Sequence, residues 1–345
     1  VKMLIYLGRR LNLLLITLLI LCIASYILAF LFPGDPLTNL SGTPSPSDDQ
    51  AQQLRLMYAL DEGALAGFWQ YLKLTLVGEW GLSLSSQNPI FDDICQFLPA
   101  SIELSLYAMF VSLLVGIPLG IIAGLNHRRI SDMGILSVSL VGFSLPVFWL
   151  ALLLILIFAL QWGGLPMSGR VSLLYDIPHQ TGFILLDIIM SNVANKQQVL
   201  LDALNHLILP TLSLSIVTSS LVIRLTRRSV INVMASDYIK AAFAKGLSRP
   251  QVFWRHGMKN ALLPIMPQLA MQFTVLLTNA MIVEVIFSWP GIGEWLIQAI
   301  YQRDFPAIRG GMLAVSALVV IVTISVDLLI RMIYPLSKKQ IHAQV

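Results

Sequence analysis

The chain is 345 residues long, 57% hydrophobic and only 12% charged, against roughly 25% charged residues in an ordinary soluble domain. That excludes a soluble globular fold and makes this a polytopic, all-α integral membrane protein. The formal charge of +4 does not point to nucleic acid, because the basic residues are sorted by membrane side.

A helix needs about 20 apolar residues to cross the hydrocarbon. Six segments reach that length, roughly residues 11–32, 99–125, 135–160, 206–226, 261–286 and 311–334. The first, preceded by Lys2, Arg9 and Arg10, reads as an uncleaved anchor: its apolar run is too long for a signal peptide, and no small-residue cleavage site follows cleanly. If the N-terminus is cytoplasmic, sixteen of the 22 Lys and Arg residues lie inside, among them Arg128, Arg129, Arg224, Arg227, Arg228, Lys338 and Lys339. The bias of Lys and Arg toward the cytoplasm then sets both termini inside, as six spans require.

Two outer loops are long, about residues 33–98 and 161–205. The first opens with Pro33-Gly-Asp-Pro36, read as an extended, turn-rich exit, and becomes helical around Gln50–Leu60 and Phe68–Leu76. Either loop could be a docking surface or a lid packed on the span ends. The apolar stretch Gly182 to Ala194 is too short to cross, is interrupted by Asp187, and reads as an outer-surface helix.

Within the second span, Gly116, Gly120 and Gly124 share one helix face, a spacing that lets two backbones approach closely. Pro118 and Pro146 each suggest a kink, which membrane helices tolerate. Thr211, Ser215 and Ser219 form a stripe in the fourth span, and Gln268 and Gln272 lie one turn apart in the fifth. Unpaired amides facing lipid cost several kcal/mol, so these groups either line a polar path or bond to helices and helix carbonyls. Glu103 and Glu284 sit near outer span ends and are expected to reach water. Asp327 and Arg331, four apart, suit an inward-facing ion pair.

Between the fourth and fifth spans lies Ala235-Ser-Asp-Tyr-Ile-Lys-Ala-Ala-Phe-Ala-Lys-Gly-Leu247, a short soluble helix that crossing lipid does not require. Ser236 or Asp237 can cap it, Ala241, Ala242 and Ala244 favour helix and leave a small surface for another protein's groove, and Gly246 offers a left-handed stop. A basic loop held by anionic lipid headgroups would explain the charges but not the Ala-Ala-x-x-x-Gly spacing. No phosphate-binding G-x-x-x-x-G-K-[ST] occurs, and neither H-E-x-x-H nor G-x-S-x-G is present. The five histidines are scattered, and Cys22 and Cys95 lack metal-ligand spacing. No catalytic residue, metal site or cofactor is therefore expected.

These residues carry a resemblance. Asp237 to Pro250, followed by Arg255-His256 and Asn260-Ala-Leu-Leu-Pro264, looks like the peptide-type variant of the "EAA" loop of ATP-binding-cassette (ABC) importer membrane subunits. Trp80-Gly-Leu-Ser83, Gly142-Phe-Ser-Leu-Pro146, Leu165-Pro-Met-Ser-Gly-Arg170, Glu284 to Gly293, and Arg303-Asp304 extend the match over nearly the whole chain. It resembles the dipeptide/oligopeptide (Dpp/Opp) permeases, and most closely their Sap branch. Lys240 replaces the consensus glutamate, and Tyr334-Pro335-Leu336 replaces the usual Asp-Pro-Arg ending.

The resemblance implies a type I ABC importer permease fold with six transmembrane helices and both termini cytoplasmic. An N-terminal tail and first helix (1–36) would precede a periplasmic loop (37–98), a five-helix core (99–334) with a coupling loop at about 227–260, and a tail (335–345). It implies an inner-membrane, non-enzymatic subunit that moves peptides, including antimicrobial peptides, and also haem or a polyamine such as putrescine. Its partners would be a second homologous permease subunit, two cytoplasmic ATPases and a periplasmic solute-binding protein. The coupling residues would be Asp237, Tyr238, Lys240, Ala241, Ala242, Lys245, Gly246, Arg255, His256, Asn260 and Pro264. A self-sufficient secondary transporter or channel is the alternative; it is weakened by the lack of an internal repeat and of a mid-membrane acidic relay.

Overall fold

A computed structural model describes residues 2–333, with side chains for 8–326 and 328. The Asp327–Arg331 pair, the Tyr334-Pro335-Leu336 ending and the 335–345 tail lie outside these. The chain folds as helices α1 (Lys2–Leu31), α2 (Pro36–Ser41), α3 (Asp48–Met57), α4 (Ala64–Val77), α5 (Ile90–Leu125), α6 (Ile130–Ser144), α7 (Val147–Leu154), α8 (Ile184–Met190), α9 (Lys196–Met234), α10 (Asp237–Ala244), α11 (Arg249–Val252), α12 (Met258–Leu262), α13 (Met266–Ile286), α14 (Ile292–Gln302) and α15 (Phe305–Ile333). Among the described residues the only β pairing is an isolated bridge between Leu82 and Pro89.

Five helical runs are long and apolar enough to cross a membrane, and a sixth crossing requires α6 and α7 together. That pair is bent by 98° at Leu145-Pro146, so the kink expected at Pro146 is a full break, and the span expected over 135–160 is two helices. Pro146 removes a donor and forces the residue before it out of the helical region; Leu145 accordingly takes φ −82°, ψ 129°. Pro118, by contrast, lies within an unbroken α5.

Helix boundaries also reach beyond the apolar runs. α5 starts at Ile90 and α9 runs from Lys196 to Met234, carrying Arg227 and Arg228 on helix rather than in a loop. The stretch after Pro33 is not extended: Asp35 accepts from the Leu37 N–H at 3.3 Å and caps α2, with Pro36 at its first position.

The chain divides into two compact units. One holds residues up to Ser101 together with Pro290–Leu328. Its core packs Tyr26 and Ala29 of α1 on Leu37 and Leu40 of α2, Tyr58, and Tyr71 of α4. Two sequence motifs meet there, since the Asp304 carboxylate accepts from the Ser83 and Ser85 hydroxyls at 2.6 and 2.9 Å. Arg309, 1% exposed, donates to the carbonyls of Leu40 and Trp80.

The other unit, Ile102–Trp289, is built around α9, whose most apolar window is 72% buried against 17% for α1. The glycine face of α5 lies directly on α9. A Cβ on Gly116, Gly120 or Gly124 would come within 2.7 Å of Val222, Thr226 or Val230 respectively. α6, α7, α8 and α13 also pack on α9, and α8 forms within the Gly182–Ala194 stretch as expected.

Candidate functional site

α10 is short because its signals are local. Ser236 stands at the N-cap position in extended conformation, but its hydroxyl donates back to the Val233 carbonyl at 2.6 Å and does not cap α10. Asp237 in the first turn complements the helix dipole and lies 2.8 Å from Lys240 Nζ, both largely exposed, so this pair adds little stability. At the other end Gly246 has φ +83° and its N–H reaches the Phe243 carbonyl at 2.9 Å. That is the left-handed stop glycine supplies without steric cost.

One stripe of α10 holds it to its own chain. Ile239 and Ala242, three apart, bury against Val252, with Val233, Met234, Phe243 and Leu247 alongside. Ala242 therefore does not belong to an outward alanine surface. Asp237, Tyr238, Lys240, Ala241, Ala244 and Lys245 remain exposed, leaving Ala241 and Ala244 as the small residues on the open side.

After Gly246 the chain turns into the helical run Arg249–Ile286. Gln251 Oε1 accepts from the Ser248 N–H at 3.0 Å, satisfying a donor at the helix start. Phe253 is fully buried with Val230 and Ala261, while Trp254, Arg255, His256 and Lys259 are exposed. Asn260 Nδ2 donates to the Tyr238 hydroxyl at 3.1 Å, tying α10 to the returning helix. Pro264 marks a short 3-10 turn, Leu263–Ile265, ahead of α13. Of the residues expected to couple, those from Asp237 to Asn260 are exposed apart from Ala242, which is buried beneath them, and Pro264 lies beyond the Asn260–Tyr238 bond.

The two polar stripes expected along a path have different environments. Thr211, Ser215 and Ser219 are 7%, 2% and 7% exposed. Ser215 Oγ donates to the Leu212 carbonyl, and the Ser215 carbonyl accepts from Ser112 Oγ of α5. Gln268 is exposed and Gln272 half-buried on α13.

Sequence reasoning placed Glu103 and Glu284 in contact with water; both are buried, at 1% and 0% exposed. The cause for Glu103 is a partner far along the chain. Arg170 donates to it, as do the Tyr107 hydroxyl and the Ile184 N–H, each at 3.2 Å. The Arg170 guanidinium also donates to the Gly182 carbonyl and stands 5.3 Å from the Trp289 ring centroid. Another buried acid was missed altogether. Asp132, 1% exposed, accepts from Arg227 and from the Arg128 N–H, with His127 beside it. The available signal was a lone acid just after Arg128 and Arg129.

Residues 116–339 match the family described as the binding-protein-dependent transport system inner membrane component. The chain is 37% identical over 338 residues to the di/tripeptide transport system permease protein DppB of Pseudomonas aeruginosa (strain UCBPP-PA14), covering 98% of this chain and 100% of that one. It is 39% identical over 343 residues to the putrescine export system permease protein SapB of Escherichia coli (strain K12), covering 99% of each. Identity and coverage are the same with the peptide transport system permease protein SapB of Salmonella typhimurium (strain LT2).

Proposed function

Because the chain belongs to the binding-protein-dependent transport system inner membrane components, as a peptide-type ABC permease, we propose that α10 is the element through which ATP hydrolysis in a partner drives it. The family role is that of a multi-pass inner-membrane permease subunit working with an ATPase and a solute-binding protein. The finer reading has four parts. Both termini and α10 face the cytoplasm; two ATPases bind; a second homologous subunit completes the path; and the solutes are peptides, including those of Sap-type systems.

The observation that carries the coupling reading is the arrangement of α10. The helix is pinned to its own chain by Ile239 and Ala242, stopped by left-handed Gly246, and linked to the returning helix by Asn260 and Tyr238. Its small and polar residues are left outward. A helix held so firmly on one side transmits a push on its other side into α9 and, through the run Arg249–Ile286, into α13. Movement of the ATPases would thereby tilt the bundle between inward and outward access.

The test is purification of the tagged chain in mild detergent, with mass spectrometry of everything recovered. The expected result is a second membrane subunit and Walker-motif ATPases, with ATPase recovery reduced by Ala241→Glu. A chain that arrives alone and moves solute in liposomes without ATP would overturn the reading in favour of a secondary transporter or channel.

A further inference from the structure

We infer that the outward face of α13 is the solute-contacting wall of the translocation path, and that it recognises the main-chain amides of peptides rather than an ammonium-bearing solute. This rests on the permease reading above and sharpens its substrate class. On one side α13 buries Leu269, Leu276, Leu277, Ala280, Val283 and Glu284, packed toward α9 and α7. On the other side Gln268, Met271, Val275, Thr278 and Ile282 are exposed, with Gln272 and Asn279 half-buried among them. The spacing of three and four places all seven on one stripe.

Gln268, Gln272 and Asn279 form no side-chain hydrogen bond with any other described residue. An unpaired amide against hydrocarbon costs several kcal/mol, so three along one stripe call for water or a polar ligand. The open face of α6 carries no side-chain amide: Met133, Val138, Leu140 and Val141 are exposed there with Ser137 and Ser144, and Ser144 bonds back to the Leu140 carbonyl of its own helix. The hydroxyl stripe of α9 is buried and partly bonded within its own helix, which leaves α13 as the polar wall.

The chemistry of the stripe selects the solute. Each Gln or Asn amide both donates and accepts, matching a peptide N–H and C=O whatever the side chains. The thioether of Met271 adapts to varied apolar groups. From Gln268 to Asn279 the stripe extends about 16 Å, enough for an extended peptide of roughly four or five residues. Putrescine, which offers ammonium groups and no amide, would call for an accessible carboxylate; the single acid of α13, Glu284, is 0% exposed on the opposite face.

The complex recovered with its partners is reconstituted in proteoliposomes, and ATP-driven flux of trialanine and of putrescine is measured. The wild type is expected to move trialanine and leave putrescine at background. Gln268→Met combined with Gln272→Met and Asn279→Leu should keep its partners and lose trialanine flux by about thirtyfold or more. Should the triple variant fail to insert, the single changes Gln268→Met and Asn279→Leu carry the same readout, with losses of about threefold to tenfold each. Three results overturn the inference: unchanged trialanine flux, loss of the second membrane subunit (which makes this face a subunit interface), or wild-type putrescine flux equal to that of trialanine. The coupling proposal fails at the co-purification step and this one at the flux step, so the two are told apart.

Discussion

Arg227 forks onto Asp132 across 95 residues of chain, its Nε 2.6 Å from Oδ1 and a terminal nitrogen 2.8 Å from Oδ2. The fork clamps the first turn of α6 to α9, and it leaves the carboxylate side chain 2% exposed. Removing one partner of a buried pair strands the other charge, at a cost of about 3–5 kcal/mol. Asp132→Ala should fall at the lower end, because Arg227 keeps 19% of its side chain in contact with solvent. Thermal unfolding in detergent should show a large drop for Asp132→Ala, a smaller one for Arg227→Lys, which cannot fork, and recovery when Asp132→Leu is combined with Arg227→Met. Equal stability of the single variants and the wild type would show that the fork holds nothing.

Arg170 and Glu103 hold the segment before α8 in the same way. The Ile184 N–H donates to Glu103, and Arg170 bonds the Gly182 carbonyl. Arg170→Ala should therefore speed hydrogen exchange across 182–188 by about tenfold to a hundredfold, the equivalent of one charge-assisted hydrogen bond. Unchanged protection would mean that apolar packing alone retains the segment.

The contact between α5 and α9 gives a paired test. A Cβ on Gly120 would lie 2.5 Å from Thr226 Cβ and 2.8 Å from the Ile223 carbonyl, whereas one on Gly134 meets nothing within 4 Å. Gly120→Ala should cost about 1–3 kcal/mol through overpacking and lower the folded yield. Gly134→Ala should leave both unchanged, and a similar loss from each would rule out helix approach as the cause.

Asp187 supplies a pH dependence. Burial alone would raise its pKa, but hydrogen bonds from the Thr181 hydroxyl and from the N–H groups of Thr181 and Gly182 outweigh it, and the carboxyl titrates below its ordinary value. A depressed carboxyl contributes stability that is complete above its unfolded pKa, about 3.9, and is lost as pH falls through the folded value. Pepsin cleavage around Leu185-Leu186 should rise as pH drops below about 4. Thr181→Val should move the onset to higher pH, and Asp187→Asn should remove the dependence.

Gly246 separates backbone conformation from crowding. No atom lies within 4 Å of an added Cβ, yet φ is +83°, so only the left-handed conformation penalises substitution, by roughly 1–2 kcal/mol for most residues. Gly246→Val should abolish transport in inserted protein, and Gly246→Asn should retain most of it. Normal uptake by the valine variant would remove Gly246 from the mechanism.

Sequence alone determined the features written in neighbouring residues or in a short period. The apolar runs mark the membrane helices, Ala241 to Gly246 set the helix and its stop, and Gly116, Gly120 and Gly124 name the face that closes on α9. Each follows from propensity, helix period or a single backbone preference, none of which needs a distant partner. Tertiary structure decided which side of each helix is covered. It turned Ala242 inward and buried the hydroxyls of α9 while leaving the amides of α13 open. It also withdrew Glu103 and Asp132 from water, because the arginines that neutralise them stand 67 and 95 residues away. A local pattern shows that a charge is present; only the folded chain brings up the partner that lets it be buried.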